Sequence, residues 1–307
     1  MQKVLAIVGP TAVGKTALSL ELGRRFSGEV ISGDSMQVYC GLDIGTAKAT
    51  PAERAQLPHY LIDICQPSER YSVAQFKAAA SDLIESIGAA RHLPMIVGGT
   101  GFYLQSLTHA LALGNDHFDD QSAAIRQRWH DVADRGGKEA VWQTLKAQDP
   151  AAAAKIPVAN LRRVIRALEV IEKTGQPFSA QPQYAPAYDF FIIGLTTARP
   201  VLYQRINDRV DQMVAAGLLE EARRLYESGG EDLPAGKGIG YRELFPYFEG
   251  QVSLAAAIEK VKLDSRHYAK RQLTWFRNQE DCHWFDLVGQ RNTTAEIEAA
   301  VSAWLKK

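Results

Sequence analysis

Residues 9 to 16 read Gly-Pro-Thr-Ala-Val-Gly-Lys-Thr, which satisfies GxxxxGK[ST] between an apolar run and a helix-forming stretch. In such a loop the backbone of Gly9, Thr11, Ala12, Val13 and Gly14 wraps a phosphate with its amides. Lys15 adds a point charge, and the Thr16 hydroxyl can sit on Mg²⁺. The motif is therefore expected to bind a diphosphate or triphosphate. It does not specify ATP. A nucleotide hydrolase usually ends a later strand with an Asp that supports the metal, whereas PMIVGGTG ends in glycines and Thr100. The acid stands instead at Asp34, after the second apolar run, in SGDSMQVY. A parallel sheet gathers the C-terminal ends of its strands beside the phosphate loop. Asp34 is then expected to face the phosphates, where it ligates Mg²⁺ or takes a proton from an acceptor; the bland alternative is a turn cap. Thr100 either joins that site or only caps the next helix.

Basic residues mark a second kind of chemistry. The segment 260–277 holds Lys260, Lys262, Arg266, Lys270, Arg271 and Arg277 against Asp264 alone. Arg266, Lys270 and Arg277 recur at helical spacing beside Trp275 and Phe276, a pattern able to track a phosphate backbone. Arg162, Arg163 and Arg166 open another helix, balanced in part by Glu169 and Glu172. Each set reads equally as a solvated or salt-bridged face.

Alternating elements must position these groups. Lys3 to Val8 and Glu29 to Ile31 read as strands separated by a helix, HYLIDI as a short third strand, and LPMIVGG as another. Ser72 caps a helix between them, and FFIIGLTT restores a strand later. Strands alternating with helices predict an α/β fold, a parallel sheet covered on both faces. The pattern changes near His109. Residues 110–120 read as a hinge, 121–148 as helix, and NLRRVIRALEVIEKTG as a helix ending at Gly175. A mostly helical domain is thus expected at 110–188, inserted into a core of 1–109 and 189–307. Tyr203 to Gly229 and Leu254 to Asn278 are expected to be helical.

Bulk composition narrows the classes. The 307 residues are 46% hydrophobic and 23% charged, ordinary for a folded protein. Cys40, Cys65 and Cys282 are far apart and form no CxxC pair, which argues against a disulfide scaffold or structural zinc. No apolar stretch reaches the length of a membrane span, and the apolar run after Met1 leads into a phosphate loop. A cytoplasmic protein is expected. Lys plus Arg equals Asp plus Glu at 35 each, so nucleic-acid binding would need a local basic groove.

Taken together, the motifs resemble the tRNA dimethylallyltransferase family, also called tRNA isopentenyl transferases. The strings that carry the resemblance are GPTAVGKT at 9, SGDSMQVY at 32, LDIGTAK at 42, PHYLIDI at 58 and VGGTGFY at 97. They continue with NLRRVIRALEVIEKTG at 160, LYQRINDRVDQM at 202, GIGYRE at 238 and YAKRQLTWFRN at 268. Order and spacing agree over nearly the whole chain. Ala49 after DIGTAK, Tyr60 in PHY and the segment KIPVAN at 155 depart from the usual pattern.

The resemblance implies a P-loop fold whose helical insertion clasps the anticodon stem-loop of transfer RNA. It implies dimethylallyl diphosphate as donor and N6 of adenosine 37 as acceptor, with Mg²⁺. It maps the general base on Asp34, its partner hydroxyl on Thr100 and a diphosphate-clamping arginine on Arg209. RNA contacts are expected from Asp34, Ser35, Met36 and Gln37, from Gly240, Tyr241 and Arg242, and from the two basic helices. Gln37 is the candidate reader of the base, since an amide can bond an adenine edge. No protein partner is expected, and a monomer suffices to enclose both substrates. A small-molecule kinase is disfavoured by the missing Asp after PMIV, and a GTP-regulated switch by the lack of an NKxD-like signal.

Overall fold

The structure, a computed structural model, describes residues 1–109, 120–180 and 186–307. The apolar runs form one parallel sheet of six strands: β1 Gln2–Val8, β2 Gly28–Ser32, β3 His59–Tyr60, β4 Leu93–Gly98, β5 Tyr188–Leu195 and β6 His283–Phe285. Their spatial order is β3-β2-β4-β1-β5-β6. Central β1 sets Leu5 beside Met95 of β4 and beside Phe191 of β5. Leu5 and Ile7 pack on one face with Leu18 and Leu22 of the helix Lys15–Phe26. Val4, Ala6 and Val8 pack on the other with Phe76, Ala80 and Ile84 of the helix Val73–Ala89. A strand buried on both faces must be apolar throughout, which is why β1 reads as a continuous run. Ser72 starts the second helix as expected: its hydroxyl accepts from the Gln75 amide (3.2 Å), and the Gln75 side chain accepts from the Ser72 amide (2.8 Å).

Local chemistry corrects several expectations. HYLIDI yields only two strand residues, because Leu61 and Asp63 turn to left-handed φ values of 59° and 57°. The stretch from Tyr203 to Gly229 is two helices, Arg199–Ala215 and Leu218–Glu227, parted at Gly217 with φ 107°. The strand β6 and the helix Thr294–Leu305 add to the expected core; Thr293 and Glu296 cap that helix reciprocally.

The chain forms two compact units, Met1–Thr108 with Pro186–Lys307, and His109–Ala185. Among its described residues the second unit is helical: Asp120–Gln148, interrupted at Gly137 (φ 79°), Pro150–Lys155 and Leu161–Thr174. Val141, Leu145, Val164 and Leu168 fill its own core. The expected hinge lies outside the described residues, apart from Asp120 where the helix begins, and so do 181–185 of the Pro- and Gln-rich connector. Among the described residues no helix is long and apolar enough to cross a membrane.

The helix Leu254–Gln279 separates two aromatics that the sequence sets beside one basic face. Phe276 is 1% exposed and joins the sheet core, whereas Trp275 is 36% exposed. Phe276→Ala is expected to cost about 3–5 kcal/mol, and Trp275→Ala clearly less. Denaturant titration of both variants measures this; equal losses would mean that the helix packs by another face.

Candidate active site

The phosphate loop leaves β1 at Val8 and enters the helix Lys15–Phe26 through Gly14, a left-handed cap with φ 93° and no side-chain cap bond. Uncapped amides at a helix start are donors for an anion. Gly9 (φ 144°) is required, because a Cβ there would lie 2.6 Å from the Leu195 carbonyl oxygen. Ala12 holds a left-handed φ of 67°, strain of the kind kept at ligand loops. The Lys15 ammonium donates to the carbonyls of Gly9 (3.0 Å) and Pro10 (2.7 Å). Burial, helped by nearby Arg209 and opposed by Asp34, brings Lys15 down to about 8.

Sheet order places the acid. Strands β2, β4 and β1 are neighbours, so the residues after their C-terminal ends meet at one edge. The Gly33 amide donates to the Val97 carbonyl (2.9 Å), and the Thr100 amide donates to the Gly33 carbonyl (3.1 Å). Thr100 Oγ1 accepts from the Ser35 amide (3.0 Å) and donates to Ser35 Oγ (3.3 Å). The Thr100 hydroxyl is thus stitched to the Asp34 loop. Asp34 Oδ1 accepts from the Met36 amide (2.9 Å). Burial pushes the Asp34 carboxyl up, and the Met36 amide, Lys15 and Arg209 pull against it. A carboxylate with raised proton affinity is a better base near neutral pH.

Lys15, Thr16, Asp34 and Arg209 line one cavity of about 700 Å³. Arg209, from the helix Arg199–Ala215, is lowered by burial and by Arg205 beside it. Arg205 also donates from Nε to the Ala12 carbonyl (2.8 Å), bracing the phosphate loop. Among the described residues no group of three or more His, Cys, Asp or Glu side chains could hold a metal. One hydroxyl and one carboxylate suit an ion such as Mg²⁺, which keeps waters and binds largely through substrate phosphates.

Several expected RNA contacts have other partners. Ser35, Met36, Gly240 and Arg242 line the cavity, but Arg242 is also paired with Glu243 (2.7 Å) and Asp264 (3.6 Å). Gln37 lines it too, yet its amide donates to Thr46 (3.2 Å) and Ala47 (3.4 Å) and accepts from Ser32 Oγ (2.9 Å). These bonds tie it to the frame of the site, where it also faces the cavity. Tyr241 is 0% exposed, with its hydroxyl on Glu221 (2.7 Å), so it is a core strut and not an RNA contact. Arg266 is half-buried and donates to Asn207 Oδ1 (2.6 Å), which removes it from the open basic face of Lys270 and Arg277. In the second unit Arg162 and Arg163 are exposed, whereas Arg166 pairs with the buried Glu169 (3.0 Å), itself gripped by Arg126 at 2.6 and 2.9 Å.

Tyr268, Arg271 and Gln272 also line the cavity, which the motifs did not single out as site residues. The Gln272 amide donates to the Gly99 carbonyl (2.9 Å), and burial pushes the Tyr268 phenol up. The signal was the i, i+4 spacing of Tyr268 and Gln272, one turn apart beside the buried stripe of Ala269 and Phe276.

The charge of Lys15 generates a pH test. Its ammonium is intact below pH about 8 and lost above it, and a diphosphate held by this loop would draw on that charge. The dissociation constant of an organic diphosphate should therefore rise above that pH, by up to about tenfold per unit. Lys15→Arg, whose charge persists, should flatten the rise. Calorimetric titration between pH 7 and 9.5 checks both, and a flat parent profile would remove Lys15 from the contact.

The model of the IPP transferase family matches residues 37–279. The chain is 69% identical to the tRNA dimethylallyltransferase of Limosilactobacillus fermentum, over 100% of both chains. It is 51% identical to that of Enterococcus faecalis, over 100% of this chain and 99% of the relative. The full-length tRNA isopentenylpyrophosphate transferase from Bacillus halodurans has a TM-score of 0.75 at 47% identity, covering 100% of this chain and 97% of that one. A eukaryotic dimethylallyltransferase acting on tRNA has a TM-score of 0.81 at 32% identity, covering 97% and 78%. With the family model matched over residues 37–279 and relatives of these names along its whole length, this chain belongs to the IPP transferase family.

Proposed function

We propose that this protein transfers a dimethylallyl group from dimethylallyl diphosphate to N6 of adenosine 37 in the anticodon loop of transfer RNA, releasing diphosphate. The observation that carries the reading is the meeting of Lys15, Arg209 and Asp34 in one cavity. The cations suit a diphosphate leaving group, and the carboxylate suits an amine that must lose a proton. The N6 lone pair attacks the allylic carbon while the carbon–oxygen bond breaks and its electrons pass to the diphosphate. The loop amides, Lys15 and Arg209 stabilise that growing charge. Asp34 takes the N6 proton, with Thr100 and the Met36 amide fixing its loop. Thr16 and Asp34 would hold Mg²⁺, which would further neutralise the departing diphosphate. Holding both substrates in one cavity supplies much of the remaining advantage.

The acceptor base must leave its stack for N6 to reach the cavity, which a single-stranded loop makes inexpensive. Ser35, Met36, Gly240 and Arg242 are the cavity residues offered to it. The exposed Arg162 and Arg163, and separately Lys270 and Arg277, are offered to phosphates of the stem-loop. We further propose that it works in the cytoplasm as a monomer without an obligate protein partner.

Incubation with dimethylallyl diphosphate and unmodified transfer RNA, followed by mass analysis of the nucleosides, tests the reaction; absence of an isoprenyl adenosine overturns it. Asp34→Asn should still bind both substrates, while its single-turnover rate falls about 10²- to 10⁴-fold. Turnover within about threefold of the parent would take Asp34 out of the chemistry, and rescue by added Mg²⁺ would make it chiefly a metal ligand. Neutralising Lys270 and Arg277 should weaken RNA binding and lower its salt slope by roughly one per lost phosphate contact. An unchanged slope across a salt titration returns that face to ordinary solvated surface.

A further inference from the structure

The helix Leu218–Glu227 carries a carboxylate that the proposed chemistry does not use. Glu221 is 3% exposed and turned into the fold. Its Oε2 accepts from the amides of Asp43 (2.8 Å) and Ile44 (3.0 Å). Its Oε1 accepts from the Gly45 amide (2.9 Å) and the Tyr241 hydroxyl (2.7 Å). Burial and this carboxylate push the Tyr241 phenol up, so it stays a donor. One side chain thus ties two stretches that are remote in sequence. Gly45 fits against Tyr241 only without a side chain, since a Cβ would lie 2.5 Å from the ring.

Both stretches wall the cavity, one through Gly45 to Thr50 and the other through Gly238 to Gly240. The first is a compact turn: the Ala47 amide donates to the Ile44 carbonyl (3.0 Å) and the Lys48 amide to the Asp43 carbonyl (3.1 Å). Buried Lys48 pins it further, on the Tyr39 carbonyl (2.6 Å), on Asp43 (2.8 Å) and on Asp63. The carbonyls of Thr46 and Ala47 then hold the Gln37 amide, three residues from Asp34.

We infer that Glu221 is a positioning residue for the acceptor side of the site, setting two of its walls and, through Gln37, the loop that carries Asp34. The inference rests on the proposed reaction. The phosphate loop has its own supports in Gly9, Gly14 and Arg205, none of which bonds to Glu221.

Glu221→Gln keeps the shape but turns a donor group toward donors, leaving part of the set unpaired. With saturating donor and transfer RNA its single-turnover rate should fall about 10- to 100-fold, the effect of a misplacement near 1 Å. The donor dissociation constant should stay within about threefold, a selectivity not expected of general destabilisation. Amides 43–45 should exchange with solvent faster. Glu221→Asp should restore part of the rate, and Tyr241→Phe, which removes one bond of the set, should slow it less. A parent-like rate in Glu221→Gln, or donor affinity lost in step with rate, overturns the inference. Should Glu221→Gln fail to fold, Tyr241→Phe decides: a slowed reaction with intact donor binding supports the tether, and an unchanged rate overturns it. A parent protein that transfers nothing overturns the reaction instead, while amide exchange still reports whether the tether exists.

Discussion

Gly33 and Gly98 approach so closely that a Cβ on Gly98 would collide with the Gly33 carbonyl. That contact lets β2 and β4 end side by side, with the Gly33 amide bonded to Val97 and the Thr100 amide bonded back to Gly33. The rest of the site follows from it. Asp34 leaves one strand and Thr100 the other, so the carboxylate and the hydroxyl that steadies its loop arrive together. β1, on the far side of β4, delivers the phosphate loop to the same edge. A side chain at Gly98 would force the strands apart and separate the acid from the phosphate loop.

The charges gathered at that edge are poised against one another. Burial lowers Lys15 and Arg209 and raises Asp34, so each ion is less settled than in water and each depends on the others. A diphosphate entering the cavity changes the balance. Its negative charge favours the Lys15 ammonium and draws Arg209 toward itself. The same charge opposes ionisation of Asp34 and strengthens it as a base. In the proposed reaction, donor occupancy would thereby raise the basicity of the carboxylate through the field.

Much of this was legible in residue order. The phosphate loop stood between a strand and a helix, Asp34 followed the next strand, and the strand–helix alternation implied their common edge. What a one-dimensional pattern does not contain is which way a side chain turns once neighbours compete for it. Tyr241 and Gln37 belong to strings that look like ligand contacts, but a buried hydrogen bond claims Tyr241 for the frame, and Gln37 is bonded to the frame while lining the cavity. Arg166 and Arg266 have the spacing of phosphate grips, and Glu169 and Asn207 hold them instead. β6 is three residues long, too short for periodicity to register, and the helix Thr294–Leu305, though capped by Thr293 and Glu296, was not among the expected elements. Tyr268 and Gln272 were visible only as part of a helix face, because nothing local tells a cavity from a core.

Both neighbours of β1 come from distant parts of the chain, one on each side of the inserted unit. On a ribosome, β4 can pair with β1 early, but β5 begins about ninety residues after β4 ends. At ordinary elongation rates that is a wait on the order of ten seconds. Throughout it the apolar strand Gln2–Val8 keeps one edge unpaired, and such an edge is a template for wrong partners. The helical unit has its own core and can fold during the delay. The insertion would then serve the nascent protein before it serves the finished one, as a spacer that times the closing of the sheet.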